Sequence, residues 1–226
     1  MKTNQKITTT ISLLTCASAL LACTSAEAVE YHVDVNTSSL VGNANAPFYL
    51  DFQLNYGSGP FSNGALIQNF TGVAPTLGSP TLSGTAAGDL NTAVSLTDNS
   101  ASPLNEFYQA FTPGSHLGFD VYLSQNQTLL TPDSLQFAIL DNTANQIPTT
   151  QPGVGLSLAE FDINANGSIT ANAFAGANDP VLGNYSGVNV TVTPVPEPSI
   201  PLLGFGAAGL VFWQAFRGRK PASTPA

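Results

Sequence analysis

Lysine and arginine are missing from residues 29–195, the greater part of the 226-residue chain. All five basic residues sit at the ends: Lys2 and Lys6 in front, Arg217, Arg219 and Lys220 behind. The stretch between holds only acids: Glu30, Asp34, Asp51, Asp89, Asp98, Glu106, Asp120, Asp133, Asp141, Glu160, Asp162 and Asp179. Its formal charge is therefore about −12, and histidine is the one cation it can offer a carboxylate. A surface of that sign repels phosphate backbones, which argues against nucleic-acid partners. It keeps a protein soluble and draws cations.

Cysteine is nearly as scarce. Cys16 and Cys23 both fall in the first apolar run, so a chain cut before Val29 has no disulfide scaffold, no thiolate nucleophile and no cysteine metal site. Charge of either sign is scarce too, at 8% of residues against roughly 25% in an average soluble domain. A central segment of about 165 residues is long enough for one domain with a sizeable core.

The two ends read as addressing segments. Lys2 and Lys6 precede an apolar, small-residue run over residues 7–22, and Ala26-Glu27-Ala28 is a small-x-small cleavage site before Val29. This predicts a signal peptide over residues 1–28, removed by signal peptidase at Ala26 and Ala28. Thr8, Thr9, Thr10, Ser12 and Thr15 dilute the run too much for a membrane span. Leu20-Leu21-Ala22-Cys23 resembles a lipobox, the alternative in which Cys23 is lipidated.

At the back, Pro196-Glu197-Pro198 is stiff and non-helical. Ser199 can then cap a helix that tolerates Pro201 in its first turn. Residues 200–216 are uncharged and span roughly 25 Å as a helix, close to the roughly 30 Å of a hydrocarbon core. Arg217, Arg219 and Lys220 form the basic stop, which keeps residues 221–226 in the cytoplasm and puts the central domain outside the inner membrane.

This arrangement, Val195-Pro196-Glu197-Pro198-Ser199 before a Gly- and Leu-rich span and a basic cluster, resembles the PEP-CTERM sorting signal of Gram-negative bacteria over residues 195–220. The resemblance implies recognition at Pro196, Glu197 and Pro198 by a membrane protease, an exosortase, in a host that makes exopolysaccharide. It also implies a transient membrane anchor, followed by release to the cell surface or medium. One difference is the extension at residues 221–226, since such signals usually end at the basic cluster. Residues 31–38 and 48–55 are similar to the opening strands of one group of PEP-CTERM proteins, for which no activity is carried over.

The centre, residues 29–194, alternates with period 2. Tyr31, Val33 and Val35 form one apolar face; Phe48, Leu50, Phe52 and Leu54 a second; Leu117, Phe119, Val121 and Leu123 a third. Leu135, Phe137 and Ile139 make a fourth, and Val188, Val190 and Val192 a short last one. Weaker candidates cover residues 65–70, 90–96, 156–163 and 168–174. Turn signals separate them at Gly57-Ser58-Gly59-Pro60, Thr131-Pro132-Asp133, Gln151-Pro152-Gly153 and Asn166-Gly167. With no helical stripe, eight to ten short strands predict a single antiparallel β-sandwich, jelly-roll-like.

Catalytic machinery is hard to find. A hydrolase needs a base beside a nucleophile, or a carboxylate pair. His32 and His116 could each meet Asp34 or Asp120 across a sheet, but no nucleophile motif accompanies them. Asp162, Asn164 and Asn166, followed by Gly167, match the start of a calcium loop, although Ala173 stands where a bidentate glutamate belongs. The competing reading is a hairpin turning at Asn166-Gly167. Tyr49, Tyr56, Tyr108, Tyr122 and Tyr185 would form a sugar-stacking face if the fold made them neighbours. The expected function is a non-catalytic surface or matrix protein associated with exopolysaccharide. The alternative is a carbohydrate-binding module, with calcium as its candidate cofactor.

Overall fold

The computed structural model describes residues 28–60, 62–73, 78–126, 131–153 and 156–196. The signal segment with Ala26 and Cys23, the sorting residues Glu197 and Pro198, the 200–216 span, and Arg217, Arg219 and Lys220 lie outside the described residues. Ala28 and Pro196 are exposed at its two ends. Among the described residues no helix is long and apolar enough to cross a membrane.

The strands are β1 (Val29–Asn36), β2 (Phe48–Asn55), β3 (Gly64–Val73), β4 (Thr81–Ser83), β5 (Ala87–Gly88), β6 (Ala93–Thr97) and β7 (Leu104–Phe111). There follow β8 (Pro113–Leu123), β9 (Asp133–Leu140), β10 (Ala159–Ile163), β11 (Ile169–Ala173), β12 (Asn178–Asp179), β13 (Gly183–Asn184) and β14 (Asn189–Pro194). One sheet runs β14-β1-β8-β3-β6-β5, the other β11-β10-β9-β2-β7-β4, and β12-β13 is a separate small hairpin. Every pairing is antiparallel.

The all-β, two-sheet sandwich follows from the alternation. Val33 and Val35 of β1, Ile67 of β3, and Leu117, Phe119, Val121 and Leu123 of β8 point inward from the first sheet and are buried. Leu50, Phe52 and Leu54 of β2, Leu135, Phe137 and Ile139 of β9, and Phe161 of β10 meet them from the second. Aromatic rings cross the interface: Phe119 lies 5.3 Å from Phe52 and 5.0 Å from Phe137, and Tyr31 lies 5.2 Å from Phe161. Such tilted and edge-on pairs add to plain area burial.

The strand count departs from the expected eight to ten: fourteen are described, four of them only two residues long or three. The larger omission is β7, a central strand of the second sheet. Its inward face is Asn105, Phe107, Gln109 and Phe111, so the apolar-polar alternation is broken by two buried amides. Both are satisfied. Gln109 accepts from the Leu90 amide at 2.9 Å and donates to the Gly78 carbonyl at 2.7 Å. Asn105 accepts from the Thr85 amide at 2.9 Å and donates to the Ser102 carbonyl at 3.0 Å. These bonds tie the irregular 78–105 segment to the core and offset the cost of burying the amides.

Candidate functional site

The outer face of the first sheet carries both histidines. Direct pairing puts His32 of β1 opposite Asp120 of β8, and His116 opposite Asn36. His32 Nδ1 lies 2.6 Å from Asp120 Oδ1, and His116 Nδ1 reaches diagonally to Asp34 Oδ1 at 3.0 Å. Asn69 donates to the other Asp120 oxygen at 2.8 Å, and the Tyr122 hydroxyl donates to Glu30 at 2.9 Å. Partial burial works to raise the Asp120 carboxyl, but the His32 and Asn69 hydrogen bonds outweigh it and hold it below the ordinary range. The His–Asp contacts read from the alternation therefore exist, on an open and solvated face. Among the described residues no three His, Cys, Asp or Glu side chains converge as a metal site.

Asp162, Asn164 and Asn166 fall in the β10–β11 hairpin. Asn166 Oδ1 accepts from the Ser168 amide at 3.0 Å and from its hydroxyl, so it serves the turn. Asn164 directs its Nδ2 at the Ser168 carbonyl and the Thr170 hydroxyl, both at 3.0 Å. Asp162 stands opposite Ser134 on β9. Burial, and then the charge of Glu160, raise its carboxyl.

The five tyrosines do not share a face. Tyr122 belongs to the first sheet, Tyr185 is buried against Phe48, and the Tyr56 hydroxyl donates to the Gly59 carbonyl. Tyr49 and Tyr108 do meet on the second sheet, edge to face with centroids 6.0 Å apart. Strand pleat explains the scatter: a tyrosine's face depends on its parity within its own strand and on which sheet takes that strand.

Beside that tyrosine pair runs a polar row. Register aligns Glu160 of β10, Gln136 of β9, Gln53 of β2 and Glu106 of β7 across four adjacent strands. All four are half-buried. Gln136 donates to Glu160 at 3.1 Å, as does Gln151 from the following connection. Gln53 Nε2 bridges Asp51 at 2.9 Å and Glu106 at 3.0 Å, so those two carboxylates face one amide within about 6 Å of each other. Asp51 is only 1% exposed. Burial, reinforced by Glu106 and only partly countered by Gln53 and Gln146, pushes its carboxyl up to about 7.

A second buried acid group closes one end of the sandwich. Asp98, just past β6, and Asp133, opening β9, are both fully buried. Asn63 touches both: its backbone N–H donates to Asp98 Oδ1 at 2.6 Å and its Nδ2 to Asp133 Oδ2 at 2.6 Å. The Gly57 amide donates to Asp133 Oδ1 at 2.7 Å. Glycine is needed there, since a Cβ would run into the carbonyl oxygens of Thr131 and Pro132. Asn63 Oδ1 accepts from the Ser124 hydroxyl and the Asn126 amide, each at 2.9 Å. Burial first, and then the Asp133 charge, push Asp98 up to about 7 against the Asn63 hydrogen bond. Sequence reasoning missed this cluster, because nothing in the spacing of Asn63, Asp98 and Asp133 distinguishes them from loop residues.

Comparison with known proteins finds no matching family model, no matching curated protein and no matching solved structure. What the geometry defines is a class: an antiparallel two-sheet sandwich with an acidic surface and sheltered carboxyl–amide clusters.

Proposed function

We propose that the chain is an exported, non-catalytic surface or matrix protein, sorted by an exosortase and associated with exopolysaccharide. The reading rests on one combination: a cation-poor, thiol-free sandwich between a front segment like a signal peptide and a back segment like a PEP-CTERM signal. A jelly-roll-like topology is part of the proposal. It is supported by the orders β1-β8-β3-β6 and β2-β7-β4, in which successive strands alternate between the sheets. The test is the intact mass of the protein from cell and medium fractions. A species beginning at Val29 and ending at residues 196–199 is expected. A chain that keeps residues 200–226 in every fraction would sink the sorting reading.

The second reading is a carbohydrate-binding module, favoured by the Glu160-Gln136-Gln53-Glu106 row beside Tyr49 and Tyr108. Two central amides flanked by carboxylates give donors and acceptors suited to sugar hydroxyls, and the rings offer apolar faces. In affinity electrophoresis against the host polysaccharide, replacing Tyr49 and Tyr108 by alanine is expected to weaken retardation roughly tenfold. His32→Ala, on the opposite sheet, should leave it unchanged. Equal retardation of all three proteins would rule this face out.

A further inference from the structure

The loop-end cluster raises an accounting question about hydrogen bonds. Asp133 has a donor on each oxygen, Gly57 N on one and Asn63 Nδ2 on the other. Asp98 has one donor, Asn63 N on Oδ1, while its Oδ2 is buried without a protein donor. Asn63 binds one oxygen of each carboxyl, which holds the two buried acids side by side, and the neighbouring Asp133 carboxyl raises Asp98. Two carboxylates cannot bond to each other unless one carries a proton. Among the described residues, Asp133 is the titratable group that acts on Asp98. Residues 29–195 contain no lysine or arginine to neutralise a second buried charge.

We propose that Asp98 and Asp133 hold one proton between them, and that this proton is the pH-sensitive pin of a clamp joining the two sheets at one end of the sandwich. The proton sits on Asp98 Oδ2 and is donated to Asp133, whose two oxygens keep their N–H donors. Through Asn63 and Gly57 the pair joins the ends of β2 and β9 in one sheet to the ends of β3, β6 and β8 in the other. Losing the proton leaves two charges facing each other in a buried site, and the five strand ends lose their common tie.

The sign follows from linkage. Asp98 binds its proton more tightly folded than unfolded, so its contribution is complete below the ordinary carboxylate range and is lost as pH rises towards about 7. Asp51 titrates in the same window, so the experiment uses the full chain carrying Asp51→Asn. In that background Tm is expected to fall by about 5–10 °C between pH 5 and pH 8. Adding Asp98→Asn should flatten the profile, because the asparagine amide can donate permanently to Asp133 while its oxygen still accepts from Asn63. Adding Asp133→Asn should instead lower Tm at every pH, because an amide has one acceptor oxygen for the two N–H groups that converge there. Infrared spectra should show a protonated-carboxyl C=O band at pH 6 that Asp98→Asn removes. Absence of that band overturns the proposal even if a variant fails to fold. So does a pH profile that Asp98→Asn leaves unchanged.

Discussion

Asp51 and Asp98 show how a buried acid behaves when the chain around it offers no cation. Each is met by neutral amides, each stands near a second carboxylate, and each is pushed up to about 7 with burial as the largest cause. Amide donors stabilise an ionised carboxyl less than a guanidinium or ammonium does. For Asp51 the consequence is separable from the loop-end clamp. Its folded-state affinity for the proton exceeds the unfolded one, so wild-type stability should decline as pH rises from about 4 to about 7. Asp51→Asn removes that ionisation and still allows bonding to Gln53. The variant is expected to be as stable as wild type at pH 5 and more stable at pH 8 by denaturant midpoint. Equal losses at both pH values would mean that Asp51 is ionised in the folded protein and that its charge is stabilising.

At the scale of elements, the strands that were legible are those whose inward positions are all apolar. The faces of β1, β2, β8 and β9 correspond to Tyr31, Val33 and Val35; Phe48 to Leu54; Leu117 to Leu123; and Leu135 to Ile139. Their ends were less clear: β8 begins at Pro113, and β6 begins only at Ala93 because Leu90 sits in the turn before it. Strand β7 was not legible, because Asn105 and Gln109 occupy core positions that only tertiary hydrogen bonds make tolerable. Phe52 shows what the legible strands contribute. It is fully buried and packs against Phe70, Phe107, Phe119 and Phe137. Phe52→Ala is expected to cost about 3–5 kcal/mol in urea unfolding. Leu82→Ala, on an exposed edge strand, should stay within about 0.5 kcal/mol. A Phe52→Ala loss below about 1 kcal/mol would contradict the described core.

At the scale of the whole molecule, the acidic surface and the two terminal segments belong to sequence alone. Residues 29–195 offer trypsin no lysine or arginine to cut after, so intact mass is the direct test of the proposed ends. The all-β class and the inward set of most strands were likewise determined by the sequence, because a period of two fixes which side chains share a face. Which residues meet across strands was decided only by the tertiary structure. His32 could have faced either aspartate, and the register with β8 chose Asp120. The tyrosines could have formed one platform, and their division between sheets left a single pair. Asn63, Asp98 and Asp133 are distant in sequence and become one buried cluster only when strand ends from both sheets converge. Parity along a strand is a local property of the chain. Partnership between strands is set by packing across the whole core.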